Sequence, residues 1–282
     1  MDLKPDSLLN NRYRMIRQLG KGGMGAVYLA YDVALEHEVA LKTNLKASEE
    51  GAAQFLREAR LLARLRHANL PRVIDYFLSE DIQCLVMDYI PGSDLRDVLK
   101  QQGPQPLERV LTWAQQLASA LSYLHRQNPP VIHRDINPAN IKLTLEGDAV
   151  LVDFGIAKAS DQTQATSTGA SGYTPGFAPP EQYGSGRTAA YTDQFALAAT
   201  LYMLLSNHQP TDSVQRALGE AVLTPLTALR PDLPPGLQAV LERGMAIRPE
   251  ERFAGVDEMV TALLQAAAGE TPVSQTPTPT IT

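Results

Sequence analysis

The chain has 282 residues, 44% of them hydrophobic and 20% charged, which suffices to bury a substantial core and excludes a disordered tail, a collagen or a coiled coil. Lys and Arg number 25 against 31 Asp and Glu, a formal charge of −6 that argues against a nucleic-acid-wrapping surface, so no nucleic-acid partner is expected and any polyanion must be held locally. At about 150 residues per domain, the length corresponds to one two-lobed unit or a pair of small domains.

Residues 1–12 form an N-terminal extension without the apolar core of a signal peptide, and no stretch approaches the roughly 18 apolar residues of a membrane span. Alternating runs rich in Val, Ile, Tyr and Phe predict antiparallel strands at 13–19, 26–33, 38–43, 73–78 and 82–87. The single cysteine, Cys84, lies in the last of these and reads as core packing; a chain that cannot form an internal disulfide suits a reducing cytoplasm. Between the third and fourth strands, 51–66 reads as a helix, with Phe55, Leu56, Ala59, Leu62 and Ala63 on one face. These elements make a first lobe over 13–88.

After a hinge at 88–92 the period changes to helical, over 107–127, 192–206, 235–246 and 256–268, interrupted by short strands at 141–145 and 149–152. This gives a mainly α second lobe over 93–268 and an α+β, bilobal fold. From 269 to 282 the Thr, Pro, Ser and Gln composition reads as a disordered linker.

Gly20, Gly22 and Gly25, followed by Val27, form a G-x-G-x-x-G whose backbone N–H groups could approach phosphate oxygens. Alone this is weak, since a hairpin turn has the same composition. A dinucleotide fingerprint needs a helix next, whereas 26–33 reads as a strand, and no G-K-[ST] follows to make a P-loop. A glycine loop between two strands is the protein-kinase arrangement. Ala40 and Lys42 then match V-A-x-K, where the lysine can pair with nucleotide phosphates, and Glu58 lies at the edge of the apolar stripe of the following helix, placed to reach Lys42.

The most specific signal is His133, Arg134, Asp135 and then Asn140, followed by Asp153, Phe154 and Gly155. In this order Asp135 would orient an incoming hydroxyl and accept its proton, while Asn140 and Asp153 would supply hard oxygen ligands for Mg²⁺ bridging the phosphates. Turn-capping roles explain any one of these residues but not the ordered set.

With these motifs the chain resembles the eukaryotic-like (Hanks-type) protein kinases, in particular the bacterial serine/threonine branch, over roughly 13–268. The resemblance implies ATP with Mg²⁺, or Mn²⁺ in its place, and a protein substrate bearing Ser or Thr. It further implies nucleotide contacts from Leu19, Gly20, Lys21, Gly22, Gly23, Met24, Gly25, Val27, Ala40 and Lys42, with Met87 as gatekeeper and the hinge backbone of Asp88 to Ile90 meeting adenine. Glu181 is expected to pair with Arg252, Asp193 to anchor the catalytic loop, and Thr174 to stand for the threonine of serine/threonine kinases. A kinase-domain homodimer and a cytoplasmic location, on its own or as part of a longer membrane protein, follow from the same likeness.

Departures from the pattern matter as much. Position 137, where active members usually carry a lysine that touches the γ-phosphate, is Asn; losing one such electrostatic donor costs on the order of 10²- to 10³-fold in rate. Ala198 and Asn207 stand where glycines are common, and Lys142 takes an apolar place beneath adenine, its stem expected to pack while the amine reaches solvent. Thr163, Thr166, Ser167 and Thr168 lie in the activation segment, where phosphate could meet Arg134. Two functions compete: an active serine/threonine kinase, and a nucleotide-binding pseudokinase serving as a signalling scaffold, for which Asn137 is the main support.

Overall fold

The computed structural model describes residues 3–22, 25–45, 49–79, 82–153, 174–183 and 187–270. Its first lobe is one antiparallel sheet of six strands, β1 (Leu8–Leu9), β2 (Tyr13–Gly22), β3 (Gly25–Asp32), β4 (His37–Leu45), β5 (Val73–Ser79) and β6 (Ile82–Asp88), in the spatial order β1-β2-β3-β4-β6-β5. Alternation along β6 decides what each face covers. Ile82, Cys84 and Val86 join Tyr13, Met15, Tyr28, Val39 and Leu41 on one face, and Leu85 joins the core beneath α1 (Glu49–Leu62) on the other. Phe55, Ala59 and Leu62 are the buried stripe of α1.

The N-terminal extension is structured where it was expected only to precede the fold: β1 pairs with β2, and Arg12 forks onto the fully buried carboxylate of Asp32 with Nη2 at 2.7 Å. That carboxylate also caps the β3–β4 turn by accepting from the backbone N–H groups of Ala34 and Leu35. A two-residue strand carries too little periodicity to be read from sequence.

The second lobe comprises α2 (Leu95–Gln102), α3 (Leu107–His125), the two-stranded ribbon β7 (Ile141–Leu143) and β8 (Ala149–Leu151), α4 (Ala190–Ser206), α5 (Ser213–Ala217), α6 (Leu226–Leu229), α7 (Gly236–Gly244) and α8 (Val256–Ala267). Helix α4 is buried nearly all round and is the axis on which the others pack. The two departures from glycine find their reasons here. Ala198 fits because Gly244 of α7 faces it: a Cβ on Gly244 would lie 2.7 Å from the Ala198 Cβ. Asn207 ends α4 in the left-handed region at φ 55°, donating its N–H to Met203 O, a conformation asparagine tolerates. Strand β7 stops at Leu143, short of the expected 145, because Thr144 N–H turns to Asp148 O and leaves Leu145 exposed.

Candidate active site

The cleft between the lobes is reached by β4 from above and by the segments ending α3 and β8 from below. The third glycine of the loop is demanded by the fold itself: a Cβ on Gly25 would sit 1.9 Å from the Thr43 carbonyl oxygen, because β3 presses on β4 there. Gly20 is different. A Cβ there would meet nothing within 4 Å among the described residues, so none of their atoms forces the glycine. Leu19, Lys21, Gly22 and Val27 lie on β2 and β3 as expected, whereas Gly23 and Met24 lie outside the described residues.

Register places Ala40 opposite Met87 and Lys42 opposite Leu85, so the lysine stands on the strand beside the hinge strand. Lys42 Nζ lies 3.5 Å from the Asp153 carboxylate, across the cleft. The partner expected for Lys42, Glu58, falls within α1, but its side chain is outside the described residues. A cavity lined by Lys42, Leu62, Val73, Leu85, Met87 and Asp153 runs behind this pair. At the hinge, Asp88 turns its side chain outward onto Arg72 Nε at 3.0 Å, and its N–H donates to Arg72 O.

The loop of residues 133–140 hangs from one carboxylate. Asp193, fully buried in the first turn of α4, accepts from the His133 and Arg134 N–H groups and stands against His125 Nε2, each at 2.8 Å. Those bonds hold Arg134 at φ 65°, a left-handed conformation costing on the order of 1–3 kcal/mol in a non-glycine residue. The fully buried His133 ring sits against Val152 O, and its burial lowers its pKa from the ordinary histidine value. The loop is thereby aimed at the cleft before any ligand arrives.

Within it, Asp135 is the point of convergence. Asn140 Nδ2 donates to Asp135 Oδ2 at 2.9 Å and to its carbonyl oxygen at 2.7 Å; Thr174 Oγ1 lies 3.4 Å from Asp135 Oδ1. Because Asn140 spends Nδ2 on Asp135 and its backbone oxygen on Val152 N–H, its Oδ1 is the atom left for a cation. Asp153 offers a partly exposed carboxylate. No group of three or more His, Cys, Asp or Glu side chains among the described residues could hold a metal by itself. Two hard oxygen ligands with the remaining positions filled by phosphate and water fit Mg²⁺, which keeps most of its shell.

Asn137 is only 5% exposed and is used by the loop: its Oδ1 accepts from Ala139 N–H at 3.0 Å, and its Nδ2 faces the Asp135 carbonyl oxygen at 3.1 Å. Lys142 adds a partner to an expectation. Its stem is partly buried and its amine reaches solvent as expected, and there it also donates to Gly92 O at 2.8 Å in a solvent-exposed bond. Burial pulls its pKa below the ordinary lysine value while Asp94 opposes the shift. Further from the cleft, the Arg252 guanidinium, fully buried, forks onto both oxygens of Glu181 at 2.8 and 3.1 Å. Arg134 Nε donates to Thr188 Oγ1 at 3.0 Å, and the proposed phosphorylation positions Thr163, Thr166, Ser167 and Thr168 lie outside the described residues.

Comparison with known proteins agrees with this geometry. The protein kinase domain family matches residues 13–259. The chain is 39% identical over 220 residues to the serine/threonine-protein kinase pkn2 of Myxococcus xanthus, covering 74% of this chain and 26% of that protein. It is 34% identical over 262 residues to the serine/threonine-protein kinase PknH of Mycobacterium tuberculosis, covering 90% and 42% respectively. A crystal structure of the M. tuberculosis PknI kinase domain superposes with a TM-score of 0.77 at 30% identity, covering 95% of this chain and 100% of that one. The chain thus spans less than half the length of these curated relatives. By motif order, fold and these similarities together, the chain belongs to the protein kinase family, on its bacterial serine/threonine branch.

Proposed function

We propose that this chain transfers the γ-phosphate of ATP to serine or threonine hydroxyls of a protein substrate. The observation that carries the reading is the convergence of Asp135, Asn140, Asp153 and Lys42 on one cleft. Mg²⁺, or Mn²⁺, would be held by Asn140 Oδ1 and the Asp153 carboxylate and would neutralise phosphate charge. Lys42 and the glycine-loop N–H groups would position the phosphates. Asp135 accepts the hydroxyl proton as the new O–P bond forms and the bond to the β-phosphate oxygen breaks, releasing ADP. Catalysis in such a site is mostly positioning and charge stabilisation, so the absence of a cation at Asn137 slows the reaction without changing its course.

The scaffold reading survives on one observation: Asn137 is committed to the loop at both ends of its amide. Retention of both cation ligands and the base favours the enzyme. We take the kinase unit as 13–268, with its expected site in the cytoplasm, on its own or within a longer membrane protein; no helix among the described residues is long and apolar enough to cross a membrane. Autophosphorylation between Ser160 and Ser171 and a kinase-domain homodimer belong to the same proposal.

The test is incubation of the chain with γ-labelled ATP and Mg²⁺ beside a general acceptor protein, followed by phosphoamino-acid analysis and peptide mapping. Label on serine or threonine supports the enzyme; nucleotide binding without label, in this chain and in Asn137→Lys, supports the scaffold.

A further inference from the structure

Lys142 is not needed by the chemistry just described, yet its surroundings fix it tightly. The hinge and β7 are clamped by backbone: Leu143 N–H donates to Ser93 O at 3.0 Å, Asp94 bridges Lys142, and Gly92, at φ +115°, lies so close that a Cβ would stand 2.2 Å from Leu143 O. The Lys142 ammonium is therefore held at the end of the hinge, on Gly92 O. Its charged neighbours come from both sides of the cleft: Asp94 and Asp97 beside the hinge, Arg17 on β2 and Asp153 below. An ammonium carries three N–H donors, and Gly92 O is the one hydrogen-bond acceptor it meets among the described residues. The bond is solvent-exposed, so the ammonium at the end of the hinge keeps donors open to acceptors on a nucleoside seated against the hinge.

We propose that Lys142 is a nucleotide-recognition residue whose ammonium donates to the sugar edge of the bound nucleoside, either adenine N3 or the ribose 2′-hydroxyl. The inference rests on the nucleotide-binding reading above. It gives the lysine a role that an apolar floor residue could not fill, because a leucine or methionine stacks on any base without reading its sugar edge.

Calorimetric binding of ATP, 2′-deoxy-ATP and 3-deaza-ATP to the unmodified chain and to Lys142→Met tests it, the methionine keeping an apolar stem of similar length. The unmodified chain is expected to prefer ATP over at least one analogue by about tenfold, the value of one charge-assisted hydrogen bond. In Lys142→Met ATP weakens by about tenfold and that preference disappears, an effect that loss of packing alone would not produce. Equal binding of all three nucleotides by the unmodified chain, or an undiminished preference in Lys142→Met, overturns the role of Lys142. Failure of the unmodified chain to bind ATP at all instead overturns the nucleotide site on which the inference rests.

Discussion

Asn137 is hydrogen-bonded to Asp135 itself: its amide nitrogen lies 3.1 Å from the Asp135 carbonyl oxygen and 3.4 Å from Asp135 Oδ1. In the proposed mechanism, the residue standing where relatives carry a cation thus supports the proposed base. On this proposal it orients Asp135 and would contribute no charge to the γ-phosphate. We expect Asn137→Lys to raise the turnover of phosphate transfer on the order of 10²-fold, because a restored cation acts on charge that develops in the transition state. Steady-state kinetics check this, and a turnover unchanged by the lysine would show that charge at this position is not limiting.

The variant Asn137→Ala separates support from charge. It leaves Ala139 N–H without its acceptor, as in the loss of a helix cap, so stability should fall by about 1 kcal/mol and turnover with it. Thermal melting alongside kinetics reads both. A drop in turnover without any drop in melting temperature would place Asn137 at the phosphate after all.

Asp193 should matter more for turnover than its distance from the hydroxyl suggests. Asp193→Asn puts an NH₂ group against a backbone donor at His133 or Arg134, and a buried group left unsatisfied costs about 1–3 kcal/mol. With Arg134 released from its left-handed conformation, the loop loses its aim, and turnover should fall at least tenfold while ATP affinity, set by the cleft above, changes little. Equal losses in both would contradict this separation.

The Glu181–Arg252 pair is buried, with the arginine side chain fully enclosed and the glutamate 10% exposed. Breaking it from one side leaves a buried charge without its partner, costing roughly 3–5 kcal/mol. Denaturant unfolding of Glu181→Gln should show that loss, and the double variant with Arg252→Met should recover part of it. A double variant no better than the sum of the singles would mean that the charges are not coupled.

Cys84 offers a pH readout of folding. Burial holds its thiol protonated, pushing its pKa from 9.0 up to about 12. Between those values the unfolded chain releases this proton and the native chain does not, so the unfolded state binds fewer protons and stability declines as pH rises through that window. Below it the contribution is fully present. Accordingly, a disulfide reagent at pH 8 should label native protein only at the rate of unfolding, whereas labelling as fast as in denaturant would mean that β6 is open.

Much of this was legible because the chemistry is carried by ordered motifs on strongly periodic elements. The strands from Tyr13 to Met87 are short runs rich in Val, Ile, Tyr and Phe, and β7 and β8 bring Asn140, which donates to Asp135, beside the residue preceding Asp153, Val152 N–H donating to Asn140 O. Strand β1 and the short helices were not legible, although the short strands β7 and β8 were. Helix α2 is started by Asp94, whose side chain accepts from Asp97 N–H, a cap hidden inside a polar run after the hinge, and α5 and α6 are too short to show a period. The use of Asn137 and Lys142 could not be read either. An asparagine amide has two ends, and a lysine stem can carry its amine outward or along the hinge; only packing selects Asp135, Ala139 and Gly92 as their partners.

The central claim is that Asp153, Asn140, Lys42 and Asp135 form a working phosphoryl-transfer site. Its most direct test is the rate of labelled γ-phosphate transfer from ATP to protein serine or threonine by the purified chain, measured beside Asp153→Ala and Asp135→Asn. The account predicts Mg²⁺-dependent transfer by the unmodified chain, slow for a kinase, and a fall of at least 10²-fold in both variants. Transfer that persists in both variants, or none by the unmodified chain although it binds ATP, would contradict it.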